Sequence, residues 1–203
     1  MDTATVKVTK DGKITPKPDK EGVTVHICDP DWFDVKKKFK INNAPERAAA
    51  LEFSGTDLNF VARVLYAEAS GSAQVKDKAE RLKEKEAILN VKHFRLNRAG
   101  YPNRVKAQSF TEVCKAPNQF ESVYDKSDKF LGSATDTYES LKKAECRDLA
   151  ESIEAIRKFL TDGPNDKYIF DNFRGGKGKR GATIGLSRFW LSEEGKKFYD
   201  KEK

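Results

Sequence analysis

The chain has 203 residues, of which 37% are hydrophobic and 35% charged, and a net charge of +7. That is enough for one sizeable domain, or a domain with an appendage. No apolar run approaches the ~18 residues of a membrane helix, so no membrane partner is expected, and Met1-Asp2-Thr3-Ala4 opens no apolar signal segment.

Residues 1–55 differ in texture from the remainder of the chain and are read as a short β-rich lead-in, an N-terminal extension or linker. Thr5-Val6-Lys7-Val8-Thr9 alternates like a strand and is followed by the turn pair Asp11-Gly12. Val23-Thr24-Val25-His26-Ile27 alternates again. From residue 56 the pattern becomes mainly helical. Leu58, Val61, Ala62, Leu65 and Ala69 repeat at helical spacing, which predicts a helix over 57–69 with Thr56 as N-cap and a stop at Ser70-Gly71. A second helix is predicted over 73–94, on the positions Val75, Ala79, Leu82, Ile88 and Leu89. A loop-rich stretch then runs to about residue 123. A long helix is predicted over 136–160, with Tyr138, Leu141, Leu149, Ile153, Ile156 and Leu160 as its stripe and Asp162-Gly163-Pro164 as its stop. Tyr168-Ile169-Phe170 reads as a strand, the Gly/Lys-rich 174–181 as a turn, and Ile184 to Tyr199 as a closing aromatic segment. The expected class is α+β, mainly α, with a small C-terminal hairpin, and the expected division is 1–55 and 56–203.

The chemistry narrows by elimination. Two histidines, His26 and His93, argue against a His-rich zinc site, and no metal or other cofactor is expected. Cys28, Cys114 and Cys146 are too few and scattered for a disulfide framework, and they leave the disulfide state and redox compartment open. There is no Gly-x-Ser-x-Gly elbow, and the 175–181 loop lacks the ending of a phosphate-binding loop. The basic clusters Lys36-Lys37-Lys38-Phe39-Lys40 and Lys177-Gly178-Lys179-Arg180 carry no nucleic-acid-binding signature, so nucleic acid is not expected as a partner. Carboxylate chemistry remains. Glu68 falls in the last turn of the 57–69 helix, on or beside its apolar stripe, where the helix dipole and partial burial both disfavour an anion. A carboxylic acid held protonated can serve as a general acid, as glycosidic cleavage requires. Glu121, in the amide- and aromatic-rich loop Pro117-Asn118-Gln119-Phe120-Glu121-Ser122, is the candidate for a second carboxylate. The competing reading is a non-catalytic module that binds an anionic cell-wall glycan or nucleic acid.

Val64-Leu65-Tyr66-Ala67-Glu68-Ala69-Ser70-Gly71 resembles the opening motif of the SleB-like cell-wall hydrolases, and Ala87-Ile88-Leu89-Asn90-Val91 their second-helix motif. Tyr101-Pro102, Phe110-Thr111-Glu112-Val113-Cys114 and Asn118-Gln119-Phe120-Glu121 resemble the next landmarks in the same order, and Ile184-Gly185 with Phe189-Trp190 the closing motif. The resemblance spans about residues 57–190. It implies a lysozyme-like helical domain that cleaves peptidoglycan strands between N-acetylmuramic acid and N-acetylglucosamine, as a muramidase or lytic transglycosylase. It implies Glu68 as the acid and Gln119 and Phe120 as substrate-contacting; Tyr66, Asn90, Tyr101, Asn118 and Ser187 are further candidates for substrate contact, Ser187 standing near where the family usually has a His. Action as a monomer in the bacterial periplasm or cell wall is then expected. Without a signal segment, export is expected by another route or as part of a longer chain, either as the toxin domain of a secreted antibacterial effector, with an immunity protein as partner, or as a phage-type lysin.

Overall fold

The computed structural model describes residues 7–8, 14–15, 38–40, 52–97, 107, 109–125, 130, 143–176 and 178–202. In chain order the elements are β1 (Lys7–Val8), β2 (Ile14–Thr15), β3 (Lys38–Lys40), β4 (Glu52–Ser54), α1 (Gly55–Glu68), α2 (Lys78–Asn97), α3 (Phe110–Lys115), α4 (Glu121–Tyr124), α5 (Lys143–Asp162), β5 (Asn172–Gly175), β6 (Ala182–Ile184), β7 (Ser187–Trp190) and α6 (Glu193–Glu202). The class is α+β and mainly α. In the N-terminal part β1 pairs antiparallel with β2, Val8 opposite Ile14, and β3 with β4, Phe39 opposite Phe53. The expected strand over 23–27 and the loop at Tyr101 lie outside the described residues.

The core is built where α1, α2 and α5 pack on one another. Val61, Ala62, Val64 and Leu65 of α1 meet Ala87, Ile88, Leu89 and Val91 of α2 and Leu149, Ile153, Ile156 and Phe159 of α5, all buried. Each of the Val, Leu, Ile and Phe side chains removed from water contributes roughly 1.5–3 kcal/mol. α1 starts at Gly55, so Thr56 lies inside its first turn instead of capping it, and it ends at Glu68 as expected. α2 starts later than the 73 predicted. Asp77 caps it, its Oδ1 accepting the Ala79 N–H at 2.8 Å, so Val75 stays outside the helix and Ala79 is exposed. α3 is capped by Ser109, whose hydroxyl accepts the Glu112 N–H.

The predicted hairpin is a three-stranded antiparallel sheet in the order β5-β7-β6, with Phe189 paired to Phe173 on one side and Ala182 on the other. Tyr168-Ile169-Phe170 is not a strand. It turns on itself, the Tyr168 N–H donating to the Asn165 carbonyl and the Phe170 N–H to the Tyr168 carbonyl, and pairing with β7 begins only at Asp171. Phe173 stacks on Phe189, Phe170 packs on Phe189 at a tilt, and Phe120 packs on Phe173, which fixes the sheet against the helices. Buried Asp171 accepts the Ser192 N–H and hydroxyl, while its carbonyl accepts from Arg95 Nε at 2.9 Å, tying the sheet to α2.

His93 on α2 lies edge-on to Phe159, and burial lowers its pKa from 6.5 to about 4. Between those values the unfolded chain holds a proton that the folded chain refuses, so stability falls as pH drops through this window, by at most about 3 kcal/mol. As the pH falls from 7 to 4, the melting temperature of wild type should drop relative to that of His93→Phe. An unchanged gap would remove His93 as the cause.

Candidate active site

A cleft of about 770 Å³ opens between the C-terminal end of α1, the start of α2 and the C-terminal sheet. Ala67, Glu68, Ala69 and Ser70 form one wall, Gln74 and Glu84 extend it, and Gly175, Gly176, Gly178, Thr183, Gly185, Leu186 and Ser187 form the other. Four of the seven residues of this second wall are glycines.

Glu68 reaches the cleft because α1 stops there. Its Oε1 accepts two hydrogen bonds from Ser122, one from the backbone N–H at 2.9 Å and one from the hydroxyl. The backbone donor is available because Ser122 lies in the first turn of α4, where amides have no partner within the helix. The loop that delivers Ser122 turns at Asn118, whose φ of 60° is a conformation Asn tolerates better than most residues. Phe120 then wedges into the core at 1% exposure, beneath Lys92 Nζ at 4.9 Å and the Arg95 guanidinium at 5.5 Å from the ring centre. Oε2 of Glu68 receives no hydrogen bond among the described residues. Behind it, burial pushes the Lys92 amine down against the opposing pull of Cys114 and Glu68, and pushes the free Cys114 thiol up.

Of the residues singled out in the sequence, Glu68 and Ser187 line the cleft together. Phe120 and Tyr66 are buried, so they shape the surroundings of Glu68 from within. Asn90 is also buried and joins α2 to the 163–168 turn, its Oδ1 accepting the Asn165 N–H at 2.8 Å. Asn118 and Glu121 are exposed and lie outside the cleft lining, and Gln119 bonds to the Pro117 carbonyl within its own loop. Ser122, Ser70, Gln74 and Glu84 belong to the site but carry no signature in one dimension. Among the described residues no group of three His, Cys, Asp or Glu side chains could hold a metal ion, and no helix is long and apolar enough to cross a membrane.

Gly185, at the β6–β7 turn, has a φ of +60°, and a Cβ there would lie 2.6 Å from Glu84 Oε2. Gly185→Ala should therefore destabilise by about 2 kcal/mol, combining left-handed strain with a clash against a buried group. Urea unfolding measures this, and a loss under ~0.5 kcal/mol would show that the turn relaxes freely.

No family model, curated protein or solved structure matches the chain.

Proposed function

We propose that this protein cleaves the glycan strands of peptidoglycan between N-acetylmuramic acid and N-acetylglucosamine, on a lysozyme-like helical domain, with Glu68 as general acid. The observation that carries the reading is the state of Glu68: one oxygen clamped by Ser122, the other without a hydrogen bond among the described residues, on the wall of a cleft of about 770 Å³. That volume lies within the roughly 300–1,000 Å³ of small-molecule sites and admits a few sugar units. The ordered motifs that resemble the SleB-like hydrolases supply the substrate, and the net charge of +7 favours approach to an anionic wall.

In this mechanism the proton on Glu68 passes to the glycosidic oxygen as the bond from that oxygen to the anomeric carbon breaks. Attack on the sugar cation by water gives a new reducing end. Attack by a hydroxyl of the same sugar gives an anhydro end. The site of action would be the periplasm or cell wall, and delivery as an antibacterial toxin domain would call for an immunity protein in the producing cell. Digestion of purified peptidoglycan by wild type and Glu68→Gln, with mass spectrometry of the released ends, tests the proposal. Release of stem peptides in place of glycan ends would redirect it to amide hydrolysis, and binding without cleavage would favour the module reading.

A further inference from the structure

Helix α2 presents to the same cleft a carboxylate that general-acid catalysis by Glu68 does not use. Glu84 is 0% exposed. Its Oε2 accepts the Ser70 N–H at 3.0 Å and the Ser70 hydroxyl, whereas its Oε1 is buried with no hydrogen-bond partner among the described residues. No lysine or arginine among the described residues forms an ion pair with it. Lys85, next on the helix, points instead to the Ser70 carbonyl at 3.4 Å and to Glu151 at 4.0 Å. Buried carboxylate oxygens are almost always satisfied, and leaving one empty is costly. Glu84 lines the cleft, and its empty oxygen, closed to solvent in this structure, is suited to a donor that arrives with the substrate.

Resting on the glycan-cleaving reading, we propose that Glu84 is the second carboxylate of the site, and that its Oε1 accepts the proton of the hydroxyl that attacks the anomeric carbon. As the new carbon–oxygen bond forms, the O–H electron pair stays on the attacking oxygen and the proton moves to Glu84. Glu68 has meanwhile given its own proton to the leaving oxygen. Transfer of one proton through solvent from Glu84 to Glu68 restores the starting state. Ser70 links the two groups: it holds Glu84 and lies two residues beyond Glu68, and all three residues line the same cleft. Inverting enzymes hold their carboxyls roughly 6.5–9.5 Å apart with water between them, and a cleft of about 770 Å³ has room for that water. Glu121 is exposed and outside the lining, so Glu84 is the better placed of the two. Lys85 on α2 interacts electrostatically with Glu84, as it does with Arg81 on α2 and with Asp148 and Glu151 on α5; Glu68 shares the cleft lining, and the 184–187 turn brings no charged group.

The test compares wild type, Glu84→Gln, Glu84→Asp and Glu84→Ala on purified peptidoglycan, alongside their thermal melts. Glu84→Gln should keep the wild-type KM and fold, lose kcat by about 100-fold, and lose the acid limb of the kcat–pH profile. Glu84→Asp should retain part of the activity. Azide, a nucleophile that needs no base, should restore turnover to Glu84→Ala and give glycosyl-azide ends. Wild-type kcat in Glu84→Gln would overturn the role of Glu84 and leave that of Glu68 standing. Inactivity in every variant with lowered melting and no azide rescue would reduce Glu84 to a structural group. A wild type that releases no glycan ends overturns both readings.

Discussion

Glu68→Gln should fold like the wild type and release glycan ends from peptidoglycan about 1,000-fold more slowly, within the 10²–10⁴ range of a general acid. The substitution keeps size and shape. An amide oxygen can still accept the Ser122 N–H and hydroxyl that hold Oε1, so the loop carrying Ser122 should stay in place. What the substitution removes is the capacity to donate a proton, which the proposed mechanism requires of Glu68. The effect should fall on kcat with KM little changed, because the proton moves only on the way to the transition state. A structural role would give a different pattern: a lowered melting temperature, and activity recovered in proportion when the assay is cooled. Equal rates for the two proteins, measured as ends released per enzyme by mass spectrometry, would sink the assignment.

Glu68 was legible in the sequence because its evidence is local: an apolar stripe at helical spacing and a Ser-Gly stop fix the helix end within a residue. Its partners were not. Ser122 is 54 positions away and meets Glu68 only because Asn118 turns the chain and Phe120 anchors it. Glu84 was hidden for another reason. It sits in Lys83-Glu84-Lys85-Glu86, which has the composition of a solvated helix face. Yet Arg81, Glu84, Lys85, Lys92 and Arg95 are all buried, along one flank of α2 beside the apolar residues. Hydrophobic periodicity cannot find such a face, because several of these charged side chains are held by groups elsewhere in the chain: Ser70 for Glu84, Glu151 for Arg81 and the Asp171 carbonyl for Arg95. The late start of α2 and the false strand at 168–170 share this cause: Asp77 and Asn165 redirect the backbone through hydrogen bonds that outweigh the apolar pattern around them. The helical class needed only the pattern, whereas the shape of the cleft needed the pairings.

The strongest of those pairings predicts the largest loss of stability. Arg81, 3% exposed, forms a bidentate ion pair with Glu151 of α5 at 2.6 and 2.7 Å. Its remaining nitrogen, Nη1, donates to the Val75 and Lys76 carbonyls at 2.6 and 2.9 Å. The guanidinium therefore satisfies a buried carboxylate and the backbone of the α1–α2 connection at once, and Glu151 raises its pKa, chiefly through that hydrogen bond. One turn earlier on α5, Asp148 accepts the Ser72 N–H with both oxygens, and a Cβ on Gly71 would lie 2.4 Å from it, so the connection is pinned close against α5. Arg81→Met should destabilise by about 4 kcal/mol, because Glu151 is left buried without its main partner. For a chain of this length that is roughly a 12 °C drop in melting temperature. The double variant Arg81→Met/Glu151→Leu should recover most of the loss, since a buried pair and a packed apolar replacement are close in energy. Equal loss in the single and double variants would locate the stability in the Val75 and Lys76 carbonyl contacts instead. Either way the connection that Arg81 holds begins at Ser70 and Gly71, just past Glu68, so a loosened connection should also lower activity at temperatures where the protein is still folded.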